Sequence, residues 1–340
     1  MTATPAGVYL PQPEFEAAVA AAVLRGGERL TTEVIGRSVE GRALTAVRIA
    51  APGRRPDPGR PAALAIGAIH GMEVVASELA LALIEDAIDR PHDPFVAALL
   101  DVADLVVVPV VNPDSRAGAV ESLRRNRVWN SCRRGNSNGV DLNRNWPVAR
   151  GGQTSRLPIA GTDVSWLPWF RGVAPFSEPE TAALAELGRR IRPVGLVNLH
   201  SSGRLVTYPW SSRPDPCPDA EGFERMVSAF QGAQSTVRYR AKQSHAWYPI
   251  SGSSNEWFYD ELGSLAITVE LSPTTPVVRE ELLRWRVRRA RWLFWWANPL
   301  DPGPEIDATS SACLAALAAS AAWHAEGKLV IDPALPVGEG

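Results

Sequence analysis

Residues 62–73 read Ala-Ala-Leu-Ala-Ile-Gly-Ala-Ile-His-Gly-Met-Glu, an apolar run that halts on His70 and reaches a carboxylate at Glu73. A run of that length without a polar face suits a strand buried on both sides. Residues 74–88 follow at once, with Leu79, Leu83, Ile84, Ala87 and Ile88 at helical spacing. The same grammar repeats outward. Residues 104–111 (DLVVVPVV) are β-branched and end at the turn signal Asn112-Pro113-Asp114. Residues 194–199 halt on His200, and residues 264–271 end in Glu270-Leu271. Further strands are expected at 30–35 and 43–50, and helices at 181–190, 223–230 and near Trp257. Buried strands alternating with helices predict an α/β domain around a largely covered sheet.

Other stretches carry less pattern. Residues 115–175 are rich in Arg, Asn, Gly and Trp without a sustained period, so they are expected as long loops, which inside a compact domain are usually functional. Ser177 followed by Glu180 resembles a capping box opening the helix at 181. The stretch from 231 to 253 is expected to be irregular. Residues 279–296 form an expected helix with six arginines and four tryptophans, read as packing its Trp and Leu side on the sheet. After Asn298-Pro299 the composition shifts to Pro, Gly, Ala and Ser, with an Ala-rich helix expected at 309–326. The division is then a lead-in (1–29), one catalytic domain (30–297) and a C-terminal extension (298–340).

Composition removes whole classes. With 35 basic and 37 acidic side chains among 340 residues, the chain lacks the cationic surplus that phosphate binding needs, so no nucleic-acid partner is expected. Its three cysteines are widely spaced with no CxxC, neither a disulfide framework nor a cysteine zinc site. No basic n-region with an apolar h-region opens the chain, and no apolar run approaches membrane-spanning length. The expectation is a soluble, cytoplasmic protein without a membrane partner. Nothing in the sequence bears on oligomeric state.

Chemistry concentrates on two of the five histidines. His70 and His200 each end a buried strand, where open α/β sheets place their ligand crevice. Glu73 lies one turn from His70, and two imidazoles with one carboxylate form a donor set that suits zinc and leaves a position for water. Glu270 ends another apolar strand, where an ionised group is costly unless it pairs or works. His92, His245 and His324 read as surface or satisfied side chains.

Taken in order, His70-Gly-Met-Glu73, Gly139-Val-Asp-Leu-Asn143-Arg144-Asn145-Trp146, Asn198-Leu-His200-Ser-Ser, Tyr248 with Ser251-Gly-Ser-Ser254, and Glu270-Leu resemble the zinc metallocarboxypeptidases of the carboxypeptidase A and B type. Residues 36–42 and 176–181 resemble that family's bacterial members, and the likeness runs from about 30 to 297. It implies a single α/β domain with a twisted, mixed, predominantly parallel sheet of about eight strands flanked by helices. It implies one zinc held by His70, Glu73 and His200, with Glu270 as general base. Asn143 and Arg144 would grip the terminal carboxylate of a peptide or small amide substrate, a guanidinium being able to fork onto a carboxylate, and Tyr248 would close over it. An arginine should stabilise the oxyanion; in Leu123-Arg-Arg-Asn-Arg127 the register to Asn143 points to Arg124, with Arg127 in support. Asn255 corresponds to the floor of the side-chain pocket, with Gln243, Ile250 and Thr268 on its walls, a polar uncharged floor that suits an amide or carboxylate side chain. Trp129, Trp146, Trp210 and Trp247 either line the entrance or pack. No inhibitory pro-segment is expected before residue 30.

The likeness implies a carboxypeptidase removing one C-terminal residue. An amidase or peptidase acting on cell-wall peptides, or on an N-acyl amino acid, shares the ligand pair and the Asn-Arg pair; Tyr248 and the SGSS turn favour the former. A catalytically dead binding module would be expected to lack a ligand or the base, and all are present.

Overall fold

Runs that are apolar on both sides can lie together only where helices cover both faces of a sheet. The computed structural model describes residues 9–125, 133–273 and 291–331, and it sets these runs side by side. β3 (Ala62–Gly67), β4 (Asp104–Val108), β5 (Gly195–Ser201) and β8 (Leu265–Leu271) form a parallel centre. β1 (Leu30–Arg37) and β2 (Ala43–Ile49) extend it antiparallel beyond β4, while β6 (Leu205–Tyr208) runs antiparallel to β8 and carries β7 (Arg240–Gln243) parallel to itself. The eight-stranded order is β1-β2-β4-β3-β5-β8-β6-β7, the mixed sheet that the resemblance implied. β6 and β7 went unseen in the sequence because four residues each are too few for alternation to show.

Pleating divides each central strand between two cores. Ala63, Ala65, Leu105, Val107, Val197, Leu199, Ile267 and Val269 join one cluster, and Ala62, Leu64, Ile66, Val106, Val108, Leu196 and Ala266 the other. The first is covered by α1 (Gln12–Gly26), α2 (Val74–Asp89), α3 (Pro94–Val102), α4 (Pro113–Arg125), α6 (Ala220–Gly232), α8 (Arg291–Ala297) and α9 (Gly303–Ala325); the second by α5 (Pro179–Ile191) and α7 (Ser254–Leu262). Among the described residues no helix is long and apolar enough to cross a membrane.

Three sequence expectations need correction. The stretch from Ser115 begins as helix α4, not as a loop; its buried face carries Arg116, wholly inaccessible and bonded to Ser77, Gln12, Glu78 and the Leu10 carbonyl, so no apolar period betrays it. The capping box does not form: Ser177 Oγ accepts from Asn145 and donates to Glu178, and α5 starts at Pro179 instead. The tail helix α9, read as part of an appendage, packs inside the main core through Ala312, Cys313, Leu314, Ala316 and Leu317. Its small side chains permit a close approach, and Gly195 leaves the space that Ser320 fills. Of the Arg- and Trp-rich segment, only residues 291–296 are described, with Phe294 and Trp295 buried against Tyr9. Cys217 and Cys313 are buried free thiols, and Cys132 lies outside the described residues.

Candidate metal centre and active site

β3 ends at Gly67, where a Cβ would stand 2.6 Å from the Pro109 carbonyl, so only glycine lets the chain pass that close. The turn continues through Ala68, with φ at 49°, and delivers His70 and then Glu73, the residue that caps α2. His200 enters from β5, whose register pairs it with Glu270 on β8. Two segments, the turn after β3 and the end of β5, therefore bring His70, Glu73 and His200, each at most 4% exposed, to one point. His70 Nδ1 and His200 Nδ1 lie 3.1 Å apart, and each is 3.0 Å from a different oxygen of Glu73. One ligand atom from each of the three falls within 4.8 Å of the others. Two imidazole nitrogens and a carboxylate gathered this closely fit a small divalent cation of zinc type.

The set is oriented from behind by a residue to which no role was assigned from sequence. Asp141 Oδ1 lies 2.9 Å from His70 Nε2, and Asp141 Oδ2 accepts from Arg134 Nε at 2.7 Å. A carboxylate on Nε2 keeps the proton there and turns the Nδ1 lone pair inward. Burial pushes the Asp141 carboxyl up, but Arg134 and then His70 outweigh it and hold it well below the usual range. Glu73 is likewise held down against burial by His70 and His200. Glu270 goes the other way: burial, helped by Glu73 and opposed by His200 and Arg134, lifts it to about 7. A carboxyl near neutrality beside the metal ligands has the basicity to exchange protons with water.

The substrate-binding residues predicted from sequence lie in one cleft with this centre: Asn143, Arg144, Tyr248, Asn255, Ile250 and Thr268 all line it, with Glu270. Arg144, 2% exposed, donates to the carbonyls of Ile159 and Asn143, and its Nη2 lies 3.4 Å from the Tyr248 hydroxyl. Among the described residues no carboxylate comes within ion-pair distance of it, so its charge is left for an anion. The SGSS turn is clamped to this segment. Trp146 N–H donates to the Gly252 carbonyl, and a Cβ on Gly252 would stand 2.6 Å from the Arg144 and Trp146 carbonyls.

Several residues fall elsewhere. Arg124 is exposed on α4 and lines a different hollow, beside Glu14, Glu121 and Arg133. Arg134 occupies the cleft instead, with Nη1 3.7 Å from Glu73. Its signal in the sequence is Arg134-Gly-Asn-Ser-Asn-Gly-Val-Asp141, whose tight turn, closed by Asn136 N–H to the Val140 carbonyl, returns the chain to the motif. Arg127 and Trp129 lie outside the described residues. Gln243 donates to the Asp215 carbonyl, away from the cleft, and Ser244 takes a place on its wall. Trp146 and Trp210 are buried packing residues, while Trp247 lines the cleft.

Comparison with known proteins agrees with this geometry. A family model described as zinc carboxypeptidase matches residues 16–284. Carboxypeptidase A4 of Mus musculus is 29% identical over 254 residues, covering 71% of this chain and 57% of its own. Carboxypeptidase Z of Gallus gallus is 27% identical, covering 76% and 44%. The chain thus spans about half the length of these relatives. In fold it superposes on bovine thrombin-activatable fibrinolysis inhibitor, solved with a tick carboxypeptidase inhibitor (TM-score 0.70, 21% identity, 94% of this chain and 98% of that one). It also superposes on carboxypeptidase A of Helicoverpa armigera (TM-score 0.68, 19% identity, 92% and 74%). With the model match covering most of its length and the His-Glu-His centre in place, this chain belongs to the zinc carboxypeptidase family.

Proposed function

We propose that the protein is a metallocarboxypeptidase that hydrolyses the last peptide bond of a peptide with a free C-terminal carboxylate. The observation that carries this reading is the Arg144 guanidinium, buried, held by carbonyls and facing the cleft that contains His70, His200 and Glu270. A cation fixed there favours a chain end over a chain interior.

His70 Nδ1, His200 Nδ1 and Glu73 would hold zinc, which supplies Lewis acidity toward the scissile carbonyl and the attacking water. Glu270 takes the proton from that water and returns it to the leaving amine. Arg134 faces the charge that develops on the carbonyl oxygen, a contribution of about 3–4 kcal/mol when one such donor is removed elsewhere. Arg144 and Asn143 hold the terminal carboxylate, and Tyr248, packed edge-on against Trp247 with ring centroids 4.9 Å apart, closes the cleft. Asp141 keeps His70 in the ligating tautomer.

The test is Glu270→Gln in zinc-loaded protein, with metal content measured beside peptide hydrolysis. The expected result is full zinc occupancy with kcat reduced about 10²–10⁴-fold. Unchanged hydrolysis would overturn the assignment.

A further inference from the structure

Residues two apart on a strand share a face, so Asn198 and Thr268 stand below His200 and Glu270, about 7 Å deeper along the strands. Asn198 is wholly buried there and belongs to a hydrogen-bond chain whose direction can be worked out atom by atom. It begins at the Ser254 backbone N–H, which can only donate, and which lies 3.0 Å from Asn143 Oδ1. That atom is therefore the carbonyl oxygen, and the Ser254 hydroxyl at 2.9 Å gives its single hydrogen to it. Having spent its hydrogen, Ser254 Oγ accepts from the Asn198 atom 2.9 Å away, which must be Nδ2. The second hydrogen of Asn198 Nδ2 goes to Asn255, 3.0 Å away, and identifies the receiving atom as Oδ1. Asn255 Nδ2 is thus left on the other branch, buried and without a hydrogen-bond partner among the described residues, in a side chain that lines the cleft.

A fixed amide donor in a buried pocket calls for an acceptor, because leaving it unmet costs more than an average hydrogen bond returns. Among the described residues, the acidic and basic side chains lining the cleft near its catalytic end are His70, Arg134, Arg144, His200 and Glu270, and each already has work in the proposed reaction. Among the described residues no further cation lines the cleft to meet a carboxylate side chain, which would lose its hydration there, and an ammonium or guanidinium would point donors at a donor. Resting on the carboxypeptidase reading, we infer that the pocket selects C-terminal residues whose side chains end in a neutral hydrogen-bond acceptor, the primary amides of glutamine and asparagine foremost. The relay that aims Asn255 also turns the Asn143 amide nitrogen away from Ser254, so one backbone N–H sets the polarity of both ends of the site.

The test is kcat/KM of the zinc-loaded protein for peptides identical except at the last residue: glutamine, asparagine, methionine, methionine sulfoxide, glutamate and lysine. Methionine and its sulfoxide differ by one acceptor oxygen, and the sulfoxide should be released about tenfold faster, as one hydrogen bond allows. Glutamine and asparagine should exceed glutamate and lysine by at least that factor. Asn198→Asp leaves a group at 198 that can only accept, which turns Asn255 round, and the sulfoxide advantage should vanish. Methionine equal to its sulfoxide, or a lead for glutamate or lysine, would overturn the inference while leaving the carboxypeptidase reading intact. Inactivity on all six peptides would overturn both. If Asn198→Asp fails to fold, as circular dichroism would reveal, the methionine pair in the unaltered protein decides alone.

Discussion

Replacing Arg134 by alanine removes a cation that lines the cleft, donates to Asp141 at 2.7 Å and lies 3.7 Å from Glu73. Two losses follow, and they separate in measurement. The first is a missing donor to the developing oxyanion, about 10²–10³ in kcat. The second is structural: the Asp141 side chain, fully inaccessible, loses a charge-assisted bond worth about 1.5–3 kcal/mol, which should appear in the unfolding free energy. The assay is steady-state hydrolysis of one peptide at matched zinc occupancy, with denaturant unfolding run in parallel. Arg124→Ala is the control, since that side chain is exposed on α4 and its loss should change stability by no more than about 0.5 kcal/mol and the rate by less than about twofold. Added guanidinium ion should restore part of the activity of Arg134→Ala. A kcat for zinc-loaded Arg134→Ala within about fivefold of the unaltered protein, or about a hundredfold loss in Arg124→Ala instead, would refute this role for Arg134.

Other outcomes follow from the same geometry. Asp141→Asn should weaken zinc binding by about 10–100-fold in chelator competition, because a neutral amide supports His70 less well than a carboxylate; unchanged affinity would contradict the role given to Asp141. In metal-free protein, burial raises Glu270 from 4.5 to about 7, so the folded state holds a proton that the unfolded chain has released. The raised pKa therefore costs nothing below about pH 4 and costs up to about 3 kcal/mol above pH 7. Glu270→Gln should accordingly stabilise the metal-free protein at pH 8 and leave it unchanged at pH 4; equal differences at both would dismiss the explanation. Glu305 on α9 accepts from Ser272 N–H at 3.1 Å, from the Tyr239 hydroxyl and from Arg204, behind the strand that carries Glu270. Glu305→Ala, which strands these donors, should cost about 2–4 kcal/mol of unfolding free energy, and a value under 1 would show the cluster to be relaxed.

What could be read in advance was whatever combines a strong local pattern with a costly residue. His70, His200 and Glu270 stood out because each interrupts or ends a run that is largely apolar, and burial makes ionisable residues expensive. Arg134 and Asp141 escaped for the opposite reason: arginine and aspartate are unremarkable in a Gly- and Asn-rich turn, and only the folded turn brings them to His70. The motif register to Asn143 points to Arg124, but α4 places Arg124 on an exposed helix face away from the cleft, a placement that register alone does not carry. Asn198 sat in the motif as one more polar residue before His200; its part in aiming Asn255 depends on Ser254 and Asn143, which come from two other segments. Helix α4 hid behind buried Arg116, and the packing of α9 behind a composition of small residues that is equally common in loose tails.

Recognition of a free chain end by Arg144 is the central claim for this site. Two peptides of identical sequence, one ending in a carboxylate and one in a carboxamide, incubated with the zinc-loaded protein and followed by mass spectrometry, test it directly. The prediction is release of a single free amino acid from the first, and at least about a hundredfold slower attack on the second, since the charge-assisted fork onto Arg144 is lost. Equal rates for the two, or cleavage at an internal bond, would contradict it.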